Sequence, residues 1–365
     1  MGIIGTPVTD PSLGTAGTLF AVAETYQPGV AKSIERRLLA IDLNNHSVSL
    51  RNVDPPVFPD GGTPGVEPSA GALNLANGYV VVPYGGMAGD CGGYHGFVVS
   101  SLENPSSSVN QFEVDPGVNN LRGGIWAASG AAVDGAGSVY VSTGNGTEPA
   151  GNTNYDLSDG VIKLPPTLGQ PADTMHFFAP DVWHADNTAD KDLGSLTPTI
   201  IPWPGHANLI FQTGKQNIGF LLDSANLGGV GGQLFPPVPS KSTTGHVCDG
   251  EARGGTVYAA PYVYVPCTEG LRTLSVNTSA PSFARSWIGP SDANGPPIMA
   301  GGRVWMHGSN KIYGLNAASG TVEVNLSVST PYNFGSPSAS GGSLFYPAGT
   351  IVVAFRPTPA TISPR

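Results

Sequence analysis

The run Ala131-Ala132-Val133-Asp134-Gly135-Ala136-Gly137-Ser138-Val139-Tyr140-Val141 decides the fold. An apolar segment leads through a Gly-Ala-Gly turn into a V-x-V segment of period two, the pattern of two strands joined by a reversal. Gly160-Val161-Ile162-Lys163-Leu164 closes the unit as a further apolar strand.

The same unit recurs outward in both directions, seven times in all. Upstream lie Thr6-Pro7-Val8 with Thr18-Leu19-Phe20-Ala21-Val22, then Ala72 to Leu75 with Tyr79-Val80-Val81-Val82. Downstream, Thr197-Pro198-Thr199-Ile200-Ile201 passes through Leu209-Ile210-Phe211 to Ile218-Gly219-Phe220-Leu221-Leu222. Three shorter units follow: Gly255 to Tyr258 with Tyr262-Val263-Tyr264-Val265, Pro297-Ile298 with Arg303-Val304-Trp305, and Ser336-Pro337 with Ser343-Leu344-Phe345-Tyr346. The last two are separated by about forty residues, the length of one four-stranded blade. Strands such as Val80-Val81-Val82 are apolar on both faces, which a lone sheet cannot bury and radially stacked sheets can. The expected fold is all-β: a β-propeller of about seven to eight four-stranded blades over residues 1–355, with a Pro/Thr-rich tail at 356–365. Tandem sandwiches would need modules of roughly a hundred residues separated by linkers, and no linker interrupts the series.

Composition agrees. The 365 residues include 51 Gly and 34 Pro, and only 12% are charged. Gly and Pro cost a helix interior about 1 and 3 kcal/mol per residue, and no helix-forming stretch is long enough to offset them. A hydrophobic content of 40% still fills a core. With 16 Lys and Arg against 26 Asp and Glu, the formal charge is −10 and no basic cluster exceeds Arg36-Arg37, so nucleic acid is excluded as an expected partner. No apolar run approaches the roughly eighteen residues of a membrane span, and residues 1–23 lack the order of a signal peptide. Nucleophile elbows of the G-x-S-x-G type, dinucleotide and phosphate loops, and zinc spacings are all missing. Of three cysteines, Cys248 and Cys267 bracket one strand-turn unit and are expected to pair, the alternative being two buried thiols.

Several segments resemble a known family. Gly5-Thr6-Pro7-Val8-Thr9-Asp10-Pro11 with Leu38-Leu39-Ala40-Ile41-Asp42-Leu43, and Lys311-Ile312-Tyr313-Gly314-Leu315-Asn316-Ala317-Ala318-Ser319-Gly320-Thr321-Val322, are similar to repeats of the bacterial PQQ-like propellers, the quinoprotein alcohol dehydrogenase-like superfamily. The likeness spans nearly the whole chain. It implies a ring closed by strands from both chain ends, and on that view N-terminal sequence, including part of a blade, is expected to be missing. It also implies a site. Gly123-Gly124-Ile125-Trp126 resembles the stretch whose indole stacks on the quinone, Thr143-Gly144-Asn145-Gly146 the stretch with the calcium-binding asparagine, and Pro180-Asp181-Val182-Trp183 that of the catalytic aspartate. The chain departs from the family at residues 89–98, where Cys91 stands in place of the calcium-binding glutamate, leaving Asp90 as a substitute ligand. A thiol is a poor partner for hard Ca²⁺. The adjacent-cysteine disulfide of many active members is missing as well.

Each of these residues has a structural reading too. Trp126 can anchor packing between blades, Asn145 can serve a turn, and Asp181 can cap a loop. The carboxylates Asp186, Asp190 and Asp192, and the oxygen-rich stretch from Asn152 to Asp159, read as solvated loops; His184 is a weak general-base candidate. The expectation is therefore a non-catalytic binding or scaffold propeller without a cofactor, presenting rim loops to a protein or glycan in the bacterial periplasm or outside the cell. The alternative is a PQQ- and Ca²⁺-dependent alcohol dehydrogenase built on Trp126, Asn145 and Asp181.

Overall fold

Val139 and Val141 point to one side of their strand and Tyr140 to the other, and all three are fully buried. A strand buried on both sides needs sheets on both sides, and the computed structural model supplies them. It describes residues 2–26, 34–55, 68–86, 92–104, 108–116, 121–147, 154–237, 244–329 and 334–356.

The chain is a seven-bladed β-propeller with almost no helix. The first blade runs β1 (Val8–Asp10), β2 (Thr18–Tyr26), β3 (Ile34–Asp42) and β4 (Val48–Asn52). The second holds β5 (Asn74–Ala76), β6 (Tyr79–Tyr84), β7 (Phe97–Leu102) and β8 (Val109–Glu113). In the third are β9 (Ala132–Val133), β10 (Val139–Ser142), β11 (Val161–Leu164) and β12 (Phe177–Ala179), followed in the chain by a helix, α1 (Trp183–Ala189). The fourth shows β13 (Thr199–Ile201), β14 (Leu209–Gln212) and β15 (Phe220–Asp223); the chain then returns to lay β16 (Gly229–Val230) parallel beside β12. The fifth comprises β17 (Val257–Ala259), β18 (Tyr262–Cys267), β19 (Gly270–Asn277) and β20 (Ser282–Ile288), and the sixth β21 (Ile298–Ala300), β22 (Arg303–His307), β23 (Lys311–Asn316) and β24 (Val322–Ser327). The seventh has three described strands, β25 (Ser338–Ser340), β26 (Ser343–Ala348) and β27 (Ile351–Phe355).

In the second, sixth and seventh blades the first two strands are joined by two-residue reversals. Asn77-Gly78, Gly301-Gly302 and Gly341-Gly342 all have positive φ at both positions, the two-residue turn whose twist matches that of paired strands. The opening strands β1, β5, β9, β13, β17 and β21 touch one another in succession, which places them innermost.

Among the described residues six apolar cores lie between successive blades, and strands of alternating side chains in blades two to six feed two of them. Val80 and Val82 join the core between the first and second blades while Val81 joins the next. Val139 and Val141 pack back on the second blade and Tyr140 forward on the fourth. Val263 and Val265 face the fourth blade, Tyr264 the sixth. Each such valine contributes about 1.5–3 kcal/mol by leaving water. The outward faces of the first and seventh blades differ: Val48, Leu50 and Val352 are 52%, 63% and 70% exposed.

Two segments differ from the sequence reading. Residues 183–189, taken as part of an acidic loop, form α1, with Trp183 and Asp186 buried on one side and Asp190 ending the helix in a left-handed conformation. Asp159, Asp186 and Asp192, read as solvated, are buried.

Candidate functional site

The ends of β6 and β10 and the run from Arg122 to Trp126 meet where the second and third blades adjoin. Three hydrogen bonds lock this run: Ile125 N–H to Tyr84 O, Gly144 N–H to Gly124 O, and Gly123 N–H to Asn145 O. Glycine is required here because Trp126 lies across the backbone. A Cβ on Gly124 would sit 2.0 Å from its Cε3, and one on Gly144 2.4 Å from its Cη2. The indole is half-buried, with Tyr94 edge-on at 6.1 Å between ring centroids. The bed of glycines makes Trp126 a flat apolar shelf.

Asn145, next to Gly144, leads into a polar network at the tip of α1, largely buried apart from the exposed Asp190. Its Nδ2 donates to Asp190 Oδ1 at 2.8 Å, and Lys215 Nζ reaches both Asp190 Oδ1 at 2.5 Å and Asp192 Oδ2 at 2.8 Å. On the other side, Gly146 N–H donates to Asn187 Oδ1, Asn187 Nδ2 to Ser158 Oγ, and Ser158 Oγ to Asp156 Oδ1. Asp159 Oδ1 accepts the Leu193 N–H at 2.8 Å. Asn145, Asp156, Asp159, Asp186 and Asp192 are all buried.

Burial sets the electrostatics. It drives Asp159 well above the usual carboxylate range, with Asp186 and Asp192 adding repulsion. Asp186 is pushed up to about 6, and Asp192 is also raised, by burial first. Burial alone would lower Lys215, but the charges and hydrogen bonds of Asp192 and Asp190 outweigh it and hold the ammonium form. Asp190 is depressed by Lys215 and Asn145 against the opposing effect of burial. The network is therefore a desolvated carboxylate group neutralised at one edge by an internal lysine.

The sequence candidates are not all brought together. Trp126 and Asn145 are neighbours across Gly144, on either side of the Gly123–Asn145 backbone bond. Asp181 is exposed and lies beside the loop after β16, its Cβ 3.7 Å from where a Cβ on Gly231 would be. His184 is half-buried against Trp183, with ring centroids 5.3 Å apart. Asp90 and Cys91 fall outside the described residues. Cys248 and Cys267 are joined, with 5.6 Å between Cα atoms, inside the core between the fourth and fifth blades. Among the described residues, the one set of three His, Cys, Asp or Glu ligand atoms within 4.8 Å of one another is Cys248, Cys267 and Glu269. Both sulfurs there are spent in the bridge.

Sequence reading missed Lys215, Asp156 and Asn187 as members of this network. Lys215 lies in the turn after β14, far along the chain from Asn145, and no local spacing connects them.

No family model matches the chain, and no curated protein matches it. Among solved structures, the crystal structure of the computationally designed Ika8 protein aligns over 97% of this chain and 97% of that one, at 10% identity and a TM-score of 0.39. That distance leaves function to the residues themselves.

Proposed function

We propose that the protein is a non-catalytic propeller of the PQQ-like repeat type, a rigid scaffold whose rim loops recognise a protein or a glycan. One observation carries this reading: the positive charge beside Asn145 belongs to Lys215, held by Asp190 and Asp192. In the dehydrogenase reading Asn145 and its carboxylate neighbours would hold Ca²⁺, which polarises the quinone when bound. The residues fit that poorly. The Lys215 ammonium neutralises the carboxylates nearest Asn145, and Asp181 is exposed beside the Gly231 loop rather than next to them. Seven blades that bury one another's faces give a stiff frame, and variable loops on a stiff frame suit recognition. The bridge between Cys248 and Cys267 supports a bacterial periplasmic or extracellular setting.

A quinoprotein dehydrogenase is the second reading, favoured by the flat, half-buried Trp126 on its glycine bed. Equilibrium dialysis with PQQ and Ca²⁺, together with dye reduction over a panel of alcohols, separates the two. The scaffold reading expects neither quinone uptake nor turnover. Turnover that disappears in Asp181→Asn overturns it.

A further inference from the structure

A cleft of about 690 Å³ lies between the sixth and seventh blades. Its cause is local. Gly314 on β23 contributes no side chain, and Trp305 from β22 covers it, with 2.8 Å from its Cζ3 to where a Cβ on Gly314 would be. The sixth blade continues outward to a fourth strand, β24, while β27 is the outermost described strand of the seventh.

The walls are apolar: Trp305, Val324 and Leu326 on one side, Leu344 and Phe355 on the other. The hairpin turns of both blades, with the hydroxyls of Ser340 and Ser343, and two guanidinium groups also line it, and the situations of the two guanidinium groups differ. Arg303 is paired with Glu323 at 2.7 Å. Arg356 is exposed at the end of β27 and has no carboxylate within ion-pair distance among the described residues. A slot of this size lies within the roughly 300–1,000 Å³ of sites that enclose small molecules, which combine apolar walls with a few polar groups that fix orientation.

We propose that this cleft binds a single-chain amphipathic carboxylate, its hydrocarbon between Trp305, Leu326 and Phe355 and its head group on Arg356. The apolar walls match the hydrocarbon and the guanidinium group matches the head group. A neutral chain would leave Arg356 unmatched, and a cationic head would be repelled by it. The chain's net charge of −10 opposes anions at long range, but that field is screened beyond about 8–10 Å at physiological salt. The preference is set at the guanidinium.

Isothermal titration of the full chain with dodecanoate, dodecanol and dodecyltrimethylammonium, each below its aggregation concentration, tests this. Dodecanoate is expected to saturate at one per chain and to bind about tenfold more tightly than dodecanol, as a hydrogen bond to a charged group provides. The ammonium compound binds weakest. Arg356→Gln lowers dodecanoate to the level of dodecanol, and Val324→Trp, which fills the slot, removes both. Ala339→Trp fills the same slot from the opposite wall, at an exposed position, and gives the same loss if Val324→Trp fails to fold. Absence of saturation, equal binding of all three probes, or binding that survives a folded slot-filling variant overturns the assignment.

Discussion

The ammonium nitrogen of Lys215 lies 2.8 Å from the Oδ2 of Asp192, a carboxylate with no exposed surface. Removing one partner of a buried pair strands the other charge, at a cost of about 3–5 kcal/mol, whereas removing both can be nearly neutral. Lys215→Met is therefore expected to lower the urea midpoint sharply, and Lys215→Met with Asp192→Asn to recover most of the loss. A single variant as stable as the parent would show that the pair contributes nothing.

Stability should rise as the pH is lowered from 8 to 5. Glu103 and Glu113 are pushed up to about 7 and Asp186 to about 6, by burial first in each case. Folded chains then hold protons that unfolded chains have lost, so the folded state binds more protons between roughly pH 4 and 7 and stability falls as pH rises through that window. Asp249 is held low, chiefly by its hydrogen bond from Arg285, and the stability it adds is lost in acid below about pH 4. Urea midpoints across pH 3 to 8 should peak near pH 5, and Glu113→Gln should flatten the alkaline limb.

Replacing Cys248 and Cys267 together by Ala should cost about 3 kcal/mol, the closure entropy of a loop of this length, here 19 residues. The sulfurs are buried, so reductant should act on the native protein far more slowly than on the urea-unfolded chain. Mass spectrometry after alkylation, with and without reductant, checks both points; three alkylated thiols in the unreduced, unfolded chain would refute the bridge.

Gly144→Ala should disturb Trp126 directly, because the new methyl group would lie 2.4 Å from the indole. Overpacking of this kind costs about 1–3 kcal/mol, and the near-ultraviolet circular dichroism of the indole should change with it. Gly135→Ala is the control: nothing lies within 4 Å of its added Cβ, and stability should hold within about 0.5 kcal/mol.

The ring was legible because it is written in local patterns. Opening and second strands such as Ala132–Val133 and Val139–Ser142 fall where period-two runs and their glycine turns stand in the sequence. Outer strands such as Val48–Asn52 and Val322–Ser327 were not legible, since one face is wet and their composition is polar. α1 was hidden by its short length and its Asp, Asn and Thr, residues that suit loops as well. The site was legible only in part. Trp126 and Asn145 were picked out through the resemblance of their stretches to the family's, but the burial of Asp159 and Asp192 involves partners far along the chain, the Leu193 N–H for Asp159 and Lys215 for Asp192. Acidic residues in a glycine-rich stretch look solvated until the sheet that covers them is in place.

Blades two to six are each gripped from both sides by an apolar core, whereas in the described cores the first and seventh are gripped from one. Among the described residues the apolar packing thus has margins and a middle. Amide protons of β4 and β27 should exchange with deuterium through small local openings, while those of β10, β14 and β18 should wait for global unfolding. Heat or tension would then peel the protein from its two ends inward, and the network around Asn145 would be among the last parts to let go.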